Sequence, residues 1–345
     1  MIITKTPFRM SFFGGGTDIP EYFNKKRGAV ISTTFDKYVH VTVRHLPRFF
    51  EYTSEIDYAK QERVNSVDDI EHPMVRNAMK YLDMHELRIS YDGDLPSRTG
   101  LGTSSTFAVG LLHAFHALKG KYVSKKQLAD DAIYVERELC KEAGGWQDQI
   151  AVSFGGLNRI DFENGEYHIR PIIINPERKK LLDNNLLLFF TGFTRLSSEI
   201  QEAAKEAMSK KTKQLDEILA IVDEAQDVLE NSERDLDDFG RLLDKTWQLK
   251  RQLSNEVTTS KIDELYQVGI EAGALGGKLL GAGGGGFLLF YVPQKKQRAV
   301  RRALKLMEVP FEFEDEGTRV IYFAPEVYDI KGNLEDSGDI PEEEQ

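Results

Sequence analysis

The first half of the chain alternates short apolar runs typical of strands with one long apolar run typical of a helix. Alternation of apolar and polar positions at residues 29–34 and 38–43 predicts a pair of strands, and residues 86–91 predict another. The run Thr103–Leu118 has apolar residues at helical spacing and begins with hydroxyl residues suited to N-capping. It therefore predicts a helix that follows a strand.

A second helix is predicted after Ser124, and strands follow it. Ser124 and Gln127 have the spacing of a capping box, and apolar positions continue at helical spacing to residue 139. Glu136 is expected beside this apolar stripe rather than within it. Further strands are predicted at residues 157–162 and 167–174 and at Leu186–Phe190.

The second half opens with long helices rich in Glu, Lys, Leu and Ala, predicted at residues 198–231, 235–254 and 260–273. A strand at 287–292, a helix at 295–307 and a strand at 320–323 would complete a second domain. Charges and turn formers at Pro176–Asn185 favour a boundary there. We therefore predict domains at 1–180 and 181–330, and an acidic flexible tail at 331–345.

Composition and charge argue against a nucleic-acid-binding, a disulfide-bonded or a membrane-spanning protein. The chain has 345 residues, with 45 basic against 56 acidic side chains and a net charge of −11, so we expect no nucleic-acid partner. The single cysteine, Cys140, excludes an internal disulfide and fits a reducing compartment. No stretch has the pattern of a signal peptide or a membrane span. We expect a cytoplasmic monomer or homodimer without membrane contact.

Glycines gather in short clusters, and the most informative cluster is PSRTGLGTSS, residues 96–105. It lies between a predicted strand and a predicted helix, where backbone N–H groups and the helix dipole can bind an anion. The hydroxyls of Ser104 and Ser105 have the chemistry to ligate Mg²⁺. The alternative is a glycine turn followed by a serine N-cap, and the cluster alone favours neither.

Other nucleotide and hydrolase motifs are missing from the sequence, among them the Walker loop, HRD with DFG, GxSxG, HExxH and CxxC. GxGxxG occurs at Gly281, Gly283 and Gly286, but after a predicted helix and before a predicted strand, the reverse of the Rossmann order. In GGWQDQ, residues 144–149, Asp148 follows a glycine turn. It is either a general base or an N-cap for the segment that follows.

Three segments in this order resemble the GHMP kinase family, named for galactose, homoserine, mevalonate and phosphomevalonate. They are TPFRMSFFGGGTD (6–18), PSRTGLGTSS (96–105) and KLLGAGGGGF (278–287), with GGWQDQ at the position of the family's aspartate. The resemblance implies an α+β fold of two domains. An N-terminal βα domain and a ferredoxin-like C-terminal domain would enclose the active site between them.

The resemblance also implies roles for individual residues. ATP would bind at Pro96, Gly100, Leu101, Gly102, Thr103, Ser104 and Ser105, and Mg²⁺ at Ser104 and Glu136. Asp148 would act as the base, beside Arg9, since a neighbouring cation favours a carboxylate and balances charge on the attacking oxygen. A sugar or sugar phosphate would contact Gly15, Gly16, Thr17, Asp18, Gly283, Gly284 and Gly285.

Within the family, GGGTD, GGWQDQ and the run at 191–200 are most similar to kinases of D-glycero-D-manno-heptose 7-phosphate, and next to the bacterial fucokinase domain. Galactokinases have GEHTD, and here Gly15 and Gly16 replace the Glu and His, which leaves room for a larger sugar. The implied reaction moves the ATP γ-phosphoryl group to the anomeric hydroxyl. The alternative from another class is a catalytically silent nucleotide or sugar binder. Candidates for holding a sugar phosphate are Lys26, Arg27, Arg98 and Arg195.

Overall fold

The computed structural model describes residues 1–97, 99–192, 211–254, 257–281 and 283–325. Its strands are β1 (Ile2–Phe13), β2 (Gly28–His45), β3 (Ser54–Asp57), β4 (Gln61–Val64), β5 (Leu87–Gly93), β6 (Asn158–Glu163), β7 (Glu166–Pro171), β8 (Leu186–Phe190), β9 (Gly276–Leu279), β10 (Phe287–Tyr291), β11 (Met307–Glu308), β12 (Phe313–Glu314) and β13 (Arg319–Phe323). Its helices are α1 (Pro20–Phe23), α2 (Pro73–Tyr81), α3 (Thr103–Leu118), α4 (Lys125–Tyr134), α5 (Gln147–Phe154), α6 (Pro176–Asn185), α7 (Thr212–Glu230), α8 (Asp237–Arg251), α9 (Ser260–Glu271) and α10 (Gln294–Leu304).

The first sheet is built around the long antiparallel pair β1 and β2. In the described residues it has nine strands, with the order β13-β1-β2-β5-β3-β4 and with β6, β7 and β12 beside this path. The expectation of two paired strands at 29–34 and 38–43 is wrong, because both segments belong to β2. The polar residues Asp36 and Lys37 between them fall where the register shifts from Pro7↔Tyr38 to Phe8↔Phe35, so they form a bulge and not a turn.

The strand predicted at 320–323 exists as β13, but it does not belong to the second sheet. It pairs antiparallel with β1, from Ile2↔Phe323 to Lys5↔Arg319, and β12 pairs with β2. Alternation along a sequence identifies a strand without identifying its partner, which explains the error. The chain therefore returns to its first sheet after building the second.

The second sheet is antiparallel, with the order β11-β8-β10-β9. Helix α8 packs against β9, and α9 packs against α10. Trp247 lies at the centre of a core shared with Phe189, Leu288 and Phe290, and it is fully buried. This arrangement agrees with the α+β class and with the expected ferredoxin-like second domain.

The predicted boundary segment forms a helix, α6, rather than a turn. Asn175 caps this helix by accepting a hydrogen bond from the Glu177 N–H at 2.8 Å, and Pro176 occupies its first position. Asn and Pro are typical of helix N-termini as well as of turns, so the composition of this segment did not distinguish the two.

Parts of two predictions lie outside the described residues. They are residues 198–210 of the helix predicted at 198–231 and the tail predicted at 331–345.

Helix α3 has the predicted bounds and carries the phosphate-binding candidates at its N-terminus. It packs on β1 and β2, where Gly110 lets the helix approach closely and its carbonyl accepts a hydrogen bond from Thr4 Oγ1 at 2.9 Å. Because twelve of its residues are buried, α3 is held firmly in the fold. None of the described helices is long and apolar enough to cross a membrane.

Helix α4 starts as predicted, but it continues into a π-helical turn, Val135–Leu139. Ser124 Oγ accepts a hydrogen bond from the Gln127 N–H at 3.1 Å, whereas the Gln127 side chain donates to Asp131, so only half of a capping box forms. The π turn rotates Glu136 inward, and this side chain is 2% exposed rather than beside the apolar stripe.

Candidate active site

The site is organised around an ion pair between Arg9 on β1 and Asp148 in the first turn of α5. Arg9 Nε donates to Asp148 Oδ1 at 2.7 Å and Arg9 Nη2 donates to Oδ2 at 2.6 Å. The guanidinium is 5% exposed and the carboxylate 25% exposed. The N-cap of α5 is Trp146 and no side chain caps this helix, so Asp148 does not serve as the N-cap. The pair expected from the sequence is formed.

Arg9 also joins this pair to the segment 96–105, which we call the phosphate loop. Arg9 Nη1 donates to the Gly100 carbonyl at 2.8 Å, and the Arg9 N–H donates to the Leu101 carbonyl at 3.4 Å. Gly102 has φ +77°, and a Cβ there would lie 3.3 Å from Arg9 Cζ and from Asp148 Oδ2. Glycine at this position lets the loop pass directly over the ion pair.

The phosphate loop presents the uncapped N-terminus of α3. The N-cap is Gly102, which contributes no side-chain cap, so a serine N-cap is not formed. The buried Thr103 Oγ1 has no hydrogen-bond partner among the described residues. Pro96 lies at the exposed edge of the loop, where its carbonyl accepts a hydrogen bond from Thr99 Oγ1 at 2.8 Å. Unpaired donors at a helix N-terminus fit an anion such as a phosphate.

Acidic side chains converge on Ser104, one turn into α3. Ser104 Oγ lies 2.9 Å from Glu136 Oε1 and 3.4 Å from Glu142 Oε2, and Gln149 Nε2 donates to Glu136 Oε2 at 2.5 Å. Burial, followed by the nearby Glu142 charge, raises the pKa of Glu136 to about 8. Neither carboxylate has an ion-pair partner among the described residues. Ser105 is buried, and its nearby hydroxyl favours the charged form of Glu136 and so lowers the pKa of that carboxyl.

A divalent cation fits this acidic pair, because it would stabilise the charged form of Glu136, which is buried without a counterion among the described residues. The described residues contain no cluster of three or more His, Cys, Asp or Glu that could hold a metal alone. Mg²⁺ commonly uses one or two protein oxygens together with substrate phosphates. The donor set is therefore that of a metal bound jointly with a phosphorylated ligand.

The expected acceptor residues follow β1 in a tight turn. Asp18 is 3% exposed, and its Oδ1 accepts a hydrogen bond from the Gly16 N–H at 2.9 Å while its Oδ2 accepts one from Gln147 Nε2 at 3.0 Å. Burial and the Asp148 charge raise the pKa of Asp18. A Cβ on Gly15 would make only ordinary contacts, at 3.8 Å, with the Gln147 and Ser11 side chains. Thr17 is fully buried and its hydroxyl donates within the turn, so it shapes the turn.

The glycines at 281–286, which we call the glycine loop, connect β9 to β10 and do not follow a helix as predicted. A Cβ on Gly281 would lie 2.2 Å from Gly100 Cα, and a Cβ on Gly286 would lie 2.1 Å from the Thr99 carbonyl oxygen. Gly283 and Gly284 contact Val257 through the backbone, and Gly285 is buried beside them. The two loops therefore meet backbone to backbone.

Sequence reasoning missed two buried lysines and two polar side chains at this site. Lys278 on β9 donates to the Ser11 and Phe12 carbonyls, each at 2.8 Å, and Lys250 on α8 contacts the glycine loop. Burial and the neighbouring cations hold the pKa of Lys278 well below its usual range. A lysine in a charged helix resembles a surface residue, so the pattern gave no signal for Lys250. Gln147 and Glu142 were also missed.

Two of the four basic candidates for a sugar phosphate, Lys26 and Arg27, form ion pairs with acids of α7. Lys26 pairs with Asp216 at 2.6 Å and Arg27 pairs with Asp223 at 3.1 Å, both acids lying on α7. These charges are already neutralised and partly exposed. Arg98 and Arg195 lie outside the described residues, as does most of the run at 191–200.

Comparison with known proteins identifies the family. Residues 72–156 match the family model for the GHMP kinases N terminal domain, and residues 225–308 match that for the GHMP kinases C terminal. A Campylobacter jejuni protein named D-glycero-alpha-D-manno-heptose 7-phosphate kinase is 31% identical over 339 residues, which is 92% of this chain and 98% of that protein. The chain belongs to the GHMP kinase family. It is therefore a phosphotransferase that acts on a hydroxyl group, in an ATP-dependent family.

One further curated protein and one solved structure are similar to this chain. The Bacteroides fragilis L-fucokinase/L-fucose-1-P guanylyltransferase is 26% identical over 86% of this chain, which corresponds to 35% of that longer protein. A crystal structure of a D-glycero-D-manno-heptose 1-phosphate kinase from Bacteroides thetaiotaomicron superposes with a TM-score of 0.76, at 23% identity, over 94% of this chain and 100% of that one. At that identity the structural match confirms the two-domain fold.

The contact between the two loops generates a prediction for Gly281→Ala. The new Cβ would overlap Gly100 and push the glycine loop off the phosphate loop, so we expect ATP affinity to fall by at least about 10-fold, or 1.4 kcal/mol. Isothermal titration calorimetry with ATP measures this. The matched control is Gly120→Ala, because Gly120 also has a positive φ, +65°, but open space around it. Equal ATP affinity in both variants would show that the loop contact is irrelevant to binding.

Proposed function

We propose that this GHMP kinase transfers the γ-phosphoryl group of ATP to the anomeric hydroxyl of D-glycero-D-manno-heptose 7-phosphate, in the cytoplasm. The observation that carries the proposal is the Arg9–Asp148 ion pair, which lies between an anion-binding loop and the buried Asp18. The 31% identity to a heptose 7-phosphate kinase over nearly its whole length supports this acceptor. A silent binding protein would not need a carboxylate placed in this way.

The phosphate loop would bind the ATP phosphates. Backbone N–H groups at the start of α3 point away from the helix, and the helix dipole places partial positive charge there. Gly100 and Gly102 have φ +85° and +77°, so the backbone bends close to its ligand without side chains in the way. Anion binding here requires no net basic charge, which agrees with the acidic composition of the chain.

Ser104 and Glu136 would hold Mg²⁺ together with the ATP phosphates. When bound, the ion supplies positive charge that offsets the charge of the phosphates during transfer. Gln149 fixes one oxygen of Glu136 by its hydrogen bond at 2.5 Å. The π turn keeps this carboxylate facing Ser104.

Asp148 would accept the proton of the attacking hydroxyl. Both of its oxygens are held by Arg9, so the carboxylate has one orientation, and the guanidinium balances negative charge on the reacting oxygen. The 25% exposure of Asp148 leaves its carboxylate accessible to a substrate. Asp18 and Gln147 would hold other hydroxyls of the acceptor, and Gly15, which has no side chain, would leave room beside Gln147 for the sugar.

Asp148→Asn should leave ATP binding nearly unchanged and lower kcat by roughly 10²- to 10⁴-fold, the usual contribution of a positioned general base. The amide preserves the shape of the side chain and removes the proton acceptor. Coupled ADP-release kinetics measure the effect. Asp92→Asn, which changes an exposed carboxylate on β5, serves as the control. A kcat within a few-fold of the parent would exclude Asp148 as the base.

Glu136→Gln should raise the Mg²⁺ concentration needed for half-maximal activity by about 10-fold or more, because a neutral amide is a poorer ligand for a hard cation. Excess Mg²⁺ should restore part of the rate. The control is Glu138→Gln, an exposed residue of the same π turn. If both variants give the parent's Mg²⁺ titration, Glu136 does not bind the metal.

The acceptor itself is tested with a panel of sugars. We expect kcat/KM for heptose 7-phosphate to exceed that for heptose, fucose and galactose by at least ~100-fold, or about 2.7 kcal/mol, because the free sugars lack the contacts to the phosphate. Heptose 1-phosphate belongs in the panel, since phosphorylation of either monophosphate gives the same 1,7-bisphosphate. Phosphorus NMR should show a new anomeric phosphate beside the retained one. Preferred use of fucose or of the 1-phosphate would refute the assignment.

A further inference from the structure

Lys250 is a buried cation that no step of the proposed reaction uses. It lies in the last turn of α8, is 8% exposed, and its ammonium donates to the Gly281 carbonyl and, at 3.5 Å, to the Leu279 carbonyl. Burying an ammonium is costly unless it makes specific hydrogen bonds. One acceptor, Leu279, ends β9, and the other, Gly281, begins the glycine loop.

The position of Gly281 links this lysine to the proposed base. Gly281 touches Gly100 of the phosphate loop backbone to backbone, and the Gly100 carbonyl accepts a hydrogen bond from Arg9 at 2.8 Å. Arg9 in turn holds both oxygens of Asp148. A shift of Gly281 would therefore displace the loop that is expected to bind the ATP phosphates.

Charged groups on three neighbouring segments act on Lys250. Arg9 on β1 opposes its charge, Asp18 after β1 favours it, and Lys278 on β9 lies close enough to repel it. Burial is the largest influence, and together these groups lower the pKa of Lys250 to about 8. The ammonium thus loses its charge in a range where arginine would keep it.

We propose that Lys250 is a positioning residue for nucleotide binding, whose charged ammonium holds the glycine loop against the phosphate loop. This role rests on the kinase function proposed above. The neutral amine has one donor fewer and loses the charge-assisted hydrogen bond to Gly281, so the loop would be held less firmly. The ATP affinity of the enzyme should then fall as the pH rises through about 8.

The test measures ATP affinity by calorimetry, without acceptor and with saturating Mg²⁺, between about pH 7 and pH 9.5. We expect the ATP affinity of the parent to fall roughly 5-fold across this pH range. The affinity of Lys250→Arg should fall almost not at all, because arginine keeps its charge. Lys250→Met should bind ATP about 10-fold more weakly than the parent at pH 7 and show no further decline. The control Lys245→Met changes an exposed lysine of the same helix and should follow the parent. Glu136, whose pKa of about 8 falls in the same range, is unchanged in every variant, so each loss of affinity is expressed relative to that of Lys250→Met and the contribution of Glu136 cancels.

A pH dependence in Lys250→Met equal to the parent's, or full ATP affinity in that variant, would overturn the proposal. Thermal unfolding distinguishes positioning of the loop from a purely structural role of Lys250. If Lys250→Met has a lower Tm but an unchanged ATP affinity per folded molecule, the proposal is also overturned. If Lys250→Met does not fold, the decision rests on whether Lys250→Arg abolishes the alkaline decline. The test contains no acceptor, so its result does not depend on whether heptose 7-phosphate is the substrate. The Asp148→Asn experiment is likewise independent, and it still tests the proposed function if the Lys250 proposal fails.

Discussion

A single guanidinium joins the three segments on which the site depends. The Arg9 side chain, on the central strand β1, donates hydrogen bonds to both carboxylate oxygens of Asp148 on α5. It also donates one to the Gly100 carbonyl of the phosphate loop. Because the group is planar and carries its donors in fixed directions, it sets the orientation of its partners as well as their distance. The first sheet therefore acts as the frame on which Asp148 and the phosphate loop are aligned.

The second domain reaches the same frame by backbone contact. The glycine loop lies on the phosphate loop so closely that Gly281 and Gly286 have no space for a side chain. Lys278 adds hydrogen bonds from β9 to the end of β1. The candidate site thus combines segments of both sheets, and Lys250 on α8 contacts it through the Gly281 carbonyl.

The sequence predicts the local parts of this arrangement better than the long-range ones. Helix α3 has its predicted bounds because its apolar spacing and terminal residues act locally, and Arg9 and Asp148 are located by motifs of known order. The partner of β13 depends on contacts far along the chain, which alternation does not encode. Glu142, Gln147 and Lys250 occur in polar segments that resemble solvent-exposed surface, and only tertiary packing brings them to the site.

The return of the chain to β1 has a consequence for biosynthesis. Ile2 and Phe323, which pair across the edge of the first sheet, are about 320 residues apart. At the usual 5–20 residues per second, a ribosome needs on the order of 15 to 60 s to deliver the second strand after the first. During that time the outer edge of β1 offers unpaired N–H and C=O groups to other chains. Productive folding therefore depends on keeping this edge of β1 from pairing with other chains until Arg319–Phe323 has been synthesised.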